Sequence, residues 1–335
     1  MAAPAVVPGA RSAFGIGLEA AATPGTAVTA SRWAPFADLT PTEQLNPLID
    51  TGMRGAMGVE ADAVMGTQHS ELSFSMAFNP ECTGDLLYNI MSGYSVGAAV
   101  SGVYPHTISV LNSGTAQGRT HTFVDFQNLT ASTGARVYPY ARLSELTFSG
   151  NAEGLVMTSG KLSASASAAA GAGPTNAPTA DQVIPAWRSS LTIAAAAMPN
   201  LSEWSVTIAR AVIVQDGADG TQTPYVIAQG PITSVTGKYT FVAIDESPLT
   251  SAIAGTKSAN VLTIDNGGAT SAVRQLVLTM TKCQFTDPQM KRDQSGLIMW
   301  DVNFRAFLNS TDVGASGGLA PIKAVLKTAI ADYTA

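Results

Sequence analysis

The chain has 335 residues, and only 13% of them are charged (18 Lys and Arg against 24 Asp and Glu), about half the share of an ordinary soluble domain. Hydrophobic residues make up 46%, enough for a sizeable core, which excludes wholesale disorder, and the 31 glycines show no three-residue period, which excludes collagen. A net charge of −6 argues against a protein that grips nucleic acid, because phosphate contacts need a basic face.

Hydroxyl residues (29 Ser, 35 Thr) outnumber charged ones, so the surface is mild and weakly acidic. A lone monomer usually carries more charge to stay soluble. Cys82 and Cys283 lie too far apart in sequence to form a disulfide scaffold, and neither sits in a C-x-x-C pair. They read as buried free thiols of a protein made in a reducing cell. The first residues lack a basic segment followed by an apolar run, so no signal peptide is expected. The uncharged stretch 86–118 is broken by Gly, Asn and Pro105 and does not read as a membrane span.

In chain order, an N-terminal arm without regular pattern runs to about Arg32. Gln44–Gln68, rich in Gly and Met, reads as a long irregular loop carrying Asp50, Arg54, Glu60 and Asp62; loops of that length are usually functional or disordered. Leu72, Phe74, Met76 and Phe78 then alternate with small or polar residues and predict a half-buried strand. A short helix is expected from a cap at Thr83 through Leu86, Leu87, Ile90 and Met91, stopped at Gly93. Strands are predicted at 121–128, 140–149, 155–166, 189–193, 204–208, 239–241 and 274–285. Another is expected where Ile298, Trp300, Val302, Phe304, Ala306 and Leu308 alternate. Turn clusters at 216–220 and 265–268 separate some of these.

Ser167–Pro185, rich in Ala, Gly and Pro, reads as a linker. It divides a first β-rich half (33–166, including the 84–92 helix) from a second (186–335). After Pro321, Val325, Leu326, Ala329 and Ile330 form a stripe that predicts a C-terminal helix. Ten or so strands with two short peripheral helices predict an all-β sandwich or barrel.

Catalytic constellations are missing. His69, His106 and His121 show no zinc-ligand spacing, a nucleophile elbow is absent, and the acidic residues form no obvious acid–base couple. Gly15-Ile16-Gly17-Leu18-Glu19-Ala20 matches a dinucleotide fingerprint in form but follows no strand in a βαβ unit. Gly160-Lys161 and Gly237-Lys238 fail as phosphate loops because Leu162 and Tyr239 stand where Ser or Thr is needed. Asp216 and Asp219 lack EF-hand spacing and read as a hairpin turn. No catalytic residue, cofactor or metal site is therefore expected.

Glu19, then Pro24-Gly25-Thr26-Ala27-Val28 and Arg32-Trp33, resembles the opening of major tail tube proteins of long-tailed, siphovirus-type bacteriophages, with Pro24 where those have an aromatic. The likeness continues through Arg54 and Gly66, the Leu72–Phe78 strand and the Leu86–Gly93 helix. It extends through Arg142–Phe148 with Gly154-Leu155-Val156 to Gly317–Lys323 and a close at Tyr333. The resemblance implies a tail-tube-like β-sandwich or barrel whose six copies close into a ring, with rings stacking into the conduit for viral DNA. It implies that Gln44–Gln68 reaches the adjacent ring, with Asp50, Arg54, Glu60 and Asp62 as candidate inter-ring contacts, and that terminal arms bridge subunits. Implied partners are the chain itself and the tail terminator, tail-tip and tape-measure proteins, with DNA passing without specific binding. Implied location is the virion tail, assembled in the bacterial cytoplasm without a membrane anchor. Other readings are a tail terminator, a tail-tip component or a surface adhesin of the same β class, and more distantly a hydrolase using one of the histidines.

Overall fold

The computed structural model describes residues 12–52, 55, 57–127, 134–170, 183–292, 296–314 and 317–335. Strand accounts for 57% of the residues and helix for 9%, so the fold is all-β. Two short strands, β1 (Ala13–Leu18) and β2 (Arg32–Ala34), precede a long hairpin of β3 (Phe36–Asp50) and β4 (Asp62–Ala77). Helix α1 (Pro80–Met91) leads to the small hairpin β5 (Ser92–Val96) and β6 (Tyr104–Val110). Then come β7 (His121–Phe126), β8 (Ala135–Asn151), β9 (Met157–Ser165) and β10 (Ala168–Ala169). After β11 (Ser190–Ile193) and β12 (Ala196–Ala197), a second long hairpin forms from β13 (Leu201–Gln215) and β14 (Val226–Val242). Helix α2 (Ser247–Ile253), β15 (Lys257–Asp265), β16 (Gln275–Lys291), β17 (Met299–Ala306) and β18 (Lys323–Thr328) complete the chain.

Eight long strands form one antiparallel sheet in the order β3–β4–β9–β8–β13–β14–β17–β16. The start of β16 leaves that sheet and joins a second layer, β12–β11–β15–β16–β18–β6–β5. The start of β8 likewise turns away to pair with β7, which carries β1 and β2 beyond it. Alternation decides which face is buried: Leu72, Phe74 and Met76, Trp204, Val206 and Ile208, and Trp300, Val302 and Phe304 point inward. They meet Leu262, Ile264, Leu276, Leu278 and Leu326 of the second layer in one continuous core. Each such side chain contributes roughly 1.5–3 kcal/mol relative to exposure.

Helix α1 lies inside this core instead of at the periphery, with every residue but Glu81 buried. Its cap is Asn79, whose Oδ1 accepts from the Cys82 N–H at 3.1 Å. Thr83, the expected cap, is already within the helix and donates its hydroxyl to the Asn79 carbonyl at 2.7 Å. The helix stops at Ser92, in the left-handed conformation with φ 70°.

Three sequence expectations are corrected. The N-terminal arm contains a strand, since β1 is largely buried and pairs with β2 and β7. The loop 44–68 is mostly strand, paired from Gln44↔His69 out to Asp50↔Asp62. Pro47 and its neighbours read as breakers, but a bulge between Leu45 and Pro47 absorbs them. The C-terminal helix is the strand β18. Ala324, Leu326 and Thr328 alternate inward, and β18 pairs with β6 on one side and β16 on the other, satisfying backbone groups that a helix there would leave open. The expected linker 167–185 lies largely outside the described residues, apart from its two ends.

Tyr333, 1% exposed, closes the chain against α1, and a Cβ on Gly84 would lie 2.1 Å from its ring. Gly84→Ala would favour an exposed helix by about 1 kcal/mol. Here it should instead destabilise the fold by about 1–3 kcal/mol through overpacking, read as a lower midpoint in thermal unfolding.

Candidate assembly surfaces

Past its root, the β3–β4 hairpin projects as a two-stranded arm exposed on both faces. Leu45, Leu48, Ile49, Val64 and Met65 are each roughly half or more exposed, and Val59 in the connecting turn is 69% exposed. A two-stranded ribbon is marginal in water by itself, and so many open apolar side chains mark a contact surface. At the root, the β13–β14 turn braces the arm: the Gln68 N–H donates to the Gln222 carbonyl at 2.8 Å, and Gln222 Nε2 donates to the Met65 carbonyl at 3.1 Å.

Of the sequence-predicted contacts, Asp50 and Asp62 are directly opposed as the outermost pair of the hairpin, and Glu60 is exposed in the turn beside them. Asp50 Oδ1 accepts from the Gly52 N–H at 2.8 Å and Asp62 Oδ1 from the Ala63 N–H at 2.8 Å, which shapes the turn. Arg54 lies outside the described residues. Sequence reading singled out these charges and missed the apolar arm residues. The signal available was the apolar content of the segment, at Leu45, Leu48, Ile49, Val64 and Met65, with no alternation to sort it into faces.

The second surface is the face of the eight-strand sheet turned away from the core. One cross-strand row runs Asp38, Ser75, Ser159, Thr147, Thr207, Thr236, Arg305 and Gln284. The Thr147 and Thr207 hydroxyls bond each other at 2.8 Å. Lysines on this face lie beside acids. Lys161 is 3.4 Å from Glu145, Lys238 is 3.1 Å from Asp301, and Lys291 pairs with the same Asp301. Burial of Asp301 acts to raise its pKa, but hydrogen bonds from Lys291, Thr240 and Lys238 outweigh it and hold the carboxyl down at about 2.

The residues of the N-terminal motif have structural tasks. Glu19 is fully buried and accepts from the Gly25 N–H (2.7 Å), the Thr122 hydroxyl (2.8 Å), the Tyr140 N–H (2.7 Å) and the Thr120 hydroxyl. Gly25, at φ +84° with the Tyr140 ring 3.1 Å from a would-be Cβ, is where that turn requires glycine. Arg32 bonds Asp85 of α1 at 2.7 Å and sits over the Tyr333 ring at 4.8 Å, so both ends of the chain are fastened to the same helix.

The histidines stand apart. His106 is buried, with Tyr94 and Thr328 as partners, and burial lowers its pKa, keeping it neutral near pH 7. His121 is buried beside Asn89, 3.8 Å from Asp85, and His69 stands at the root of the arm near Glu71. Among the described residues no cluster of three potential ligands could hold a metal ion.

The Asp301 cluster gives a pH-dependent prediction. A carboxyl whose folded pKa is depressed stabilises the fold above its unfolded pKa, and that contribution is lost as pH falls through the folded value. Asp301→Asn should therefore cost about 1–2 kcal/mol at pH 7. In urea titrations its gap from the parent should close between about pH 4 and pH 2.

No curated protein matches the sequence. The model of the phage tail tube protein family matches residues 9–306. That family is a structural component of the virion tail and not an enzyme, and it assembles with itself and other tail components. The match takes in the buried Glu19, the hairpin arm and the whole eight-strand sheet, and the chain belongs to the phage tail tube protein family.

Proposed function

We propose that the chain builds the tail tube of a long-tailed, siphovirus-type phage, assembling in the host cytoplasm into rings that stack into the conduit for DNA ejection. The ring implied by the resemblance is six-membered, a homohexamer. The observation that carries this reading is the eight-strand sheet with one apolar face, one hydroxyl face and an unpaired edge at each end. A sheet of that kind is the wall of a closed barrel in which the apolar face packs on the second layer and the hydroxyl face lines the channel. Duplex DNA binds where cations are free to displace its counterions. A wall of Ser and Thr whose lysines lie beside carboxylates offers few such sites, so DNA passes without specific binding.

The hairpin arm reaches the neighbouring ring. Its apolar side chains supply the contact area, and Asp50, Arg54, Glu60 and Asp62 at its end set the alignment. The tube is completed by a tail terminator, tail-tip components and a tape-measure protein inside it, and no membrane anchor takes part.

The test shortens the arm while keeping its root. Replacing Ile49–Ala63 with Asn-Gly closes the hairpin at the Leu48↔Val64 pair. Negative-stain electron microscopy should then show rings in place of tubes, with the far-ultraviolet circular dichroism of the parent retained. Tubes of normal length from this variant would remove the arm from ring stacking, and a strictly monomeric parent under all conditions would remove the tube.

A further inference from the structure

The strand pairings of the chain occur twice. The elements β1–β4, α1 and β7–β10 have the same order and partners as β11–β14, α2 and β15–β18. Thus β1·β2, β1·β7 and β7·β8 correspond to β11·β12, β11·β15 and β15·β16. The run β3–β4–β9–β8 corresponds to β13–β14–β17–β16, and β10 on the start of β8 corresponds to β18 on the start of β16. Only β5 and β6 have no counterpart.

The agreement reaches single residues. β3 and β13 are each 15 residues long, and β8 and β16 are each 17. Moving back from Leu201 to Phe36, 165 positions, brings the two long hairpins into register. Both bulges of β3–β4, at Phe36/Asp38 and Leu45/Pro47, then coincide with bulges of β13–β14 at Leu201/Glu203 and Arg210/Val212, and the second hairpin has one further shift at Ala209/Arg210. Both helices carry proline in the first turn, and each packs on the long strand of its own copy, α1 on β8 and α2 on β16. A bulge is a costly local feature, so two at matched positions mark one backbone plan used twice.

The copies meet where β8 pairs with β13, from Asn151↔Glu203 to Glu145↔Ala209. The outward edges are the same two strands of the plan. Among the described residues β3 pairs with β4 alone, and β16 beyond Gln284 pairs with β17 alone. We propose that these edges join between chains as β8 and β13 join within one, so that each chain supplies two of the ring's six units and three chains close it. The proposal rests on the tube reading above and replaces six chains with six units.

Side chains at the open edges fit that junction. Glu203, Ser205 and Thr207, which face the channel side at the internal junction, correspond to Asp38, Thr40 and Thr42, an acid and two hydroxyls again. Behind the internal junction, Arg210 and Gln229 donate to the carbonyls of Ile90 and Asn89 at the end of α1, both at 2.7 Å. Their counterparts in the arm are Leu45 and Val64, 53% and 64% exposed, and the end of α2 carries Ile253, 79% exposed. Polar contact inside the chain is thus matched by apolar contact between chains, and these open side chains cover one another.

The barrel size agrees. Eight strands closed on themselves leave an interior filled by side chains, whereas about 24 strands at ~4.8 Å spacing make a barrel roughly 40 Å across, wide enough to pass a duplex.

Two measurements on the full chain test this. Cryo-electron microscopy of assembled tubes counts chains per ring. A Thr42→Cys, Gln289→Cys variant probes the edges, because Gln289 stands opposite Asp301 as Thr147 stands opposite Ser159, and Thr42 corresponds to Thr207. The expected result is three chains per ring and, after oxidation, a ladder on non-reducing gels that ends at the trimer. Six chains per ring, or a ladder climbing to six, overturns the stoichiometry and leaves the tube standing. Rings of three whose cysteines stay reduced overturn the edges assigned. Absence of rings and tubes under all conditions overturns the tube reading, and this proposal with it.

Discussion

Every β-strand has two rows of backbone donors and acceptors, and a sheet that does not close leaves one row open at each end. That constraint organises this molecule. Most strands in the described residues have partners on both sides, and β8 and β16 achieve this by changing sheets along their length. The short strands β2, β5, β10 and β12 each end a layer, and of the long strands those left open among the described residues are β3 and the far part of β16, at the two ends of the same sheet. Long flat edges of this sort aggregate unless covered, and a ring covers both with a single contact repeated around an axis.

The low charge of the sequence follows from the same constraint. Charged side chains protect an exposed edge or apolar patch from unwanted contacts, and a surface destined to be covered by its own copies cannot carry many of them. Several of the apolar residues left open lie on the arm and beside α2, at Leu48, Ile49, Val64, Ile244 and Ile253, and others stand apart from these, as at Val100, Trp187 and Leu297. Elsewhere the outer face is Ser and Thr, which tolerate water or a neighbour equally well. Before assembly the continuous apolar core holds the subunit together, and buried polar ties such as Glu19 with its four donors and Arg210 at the end of α1 add to it.

Where one face of a strand is buried and the other is not, the sequence showed it plainly: Leu72–Phe78 and Trp300–Ala306 stand in the fold as their alternation implies, while Ile298 and Leu308, expected on the same face, lie beyond the strand and are exposed. The arm was hidden because both of its faces are exposed, so no alternation separates them, and Pro47 and Gly66 mimic loop residues where a bulge holds them. β18 was hidden because six residues can be drawn on a helix or a strand, and only its neighbours β6 and β16 decide. The acids at the tip were legible as exposed charges in a long connection, whereas their pairing across the hairpin depends on register. Duplication was invisible for a different reason. It survives in pairings and bulges, which constrain backbone geometry, while side chains at equivalent positions have diverged, as with Arg210 against Leu45.

Placement of charge also refines the meaning of the net −6. On the hydroxyl face, Lys161, Lys238 and Lys291 lie beside Glu145 and Asp301, which are strands away in sequence and adjacent in the ladder. Arg305 is opposite Thr236 and Gln284, without an acid across the ladder from it. Further acids lie on this face at Asp38 and Glu203, and others at the hairpin ends, with Asp50, Glu60 and Asp62 on the arm and Asp216 and Asp219 at the neighbouring turn. On the proposed reading this face is a channel wall, and such a wall need not be strongly negative to let DNA slide. It needs only to lack rows of free cations, because counterion release drives adhesion and a lysine held by a carboxylate has little to offer a phosphate. Strong negative charge along the wall would add self-repulsion between units that must pack edge to edge. Pairing of lysines with acids on the sheet face meets both demands, and on the proposed reading the acids of the arm stand where one ring would meet the next.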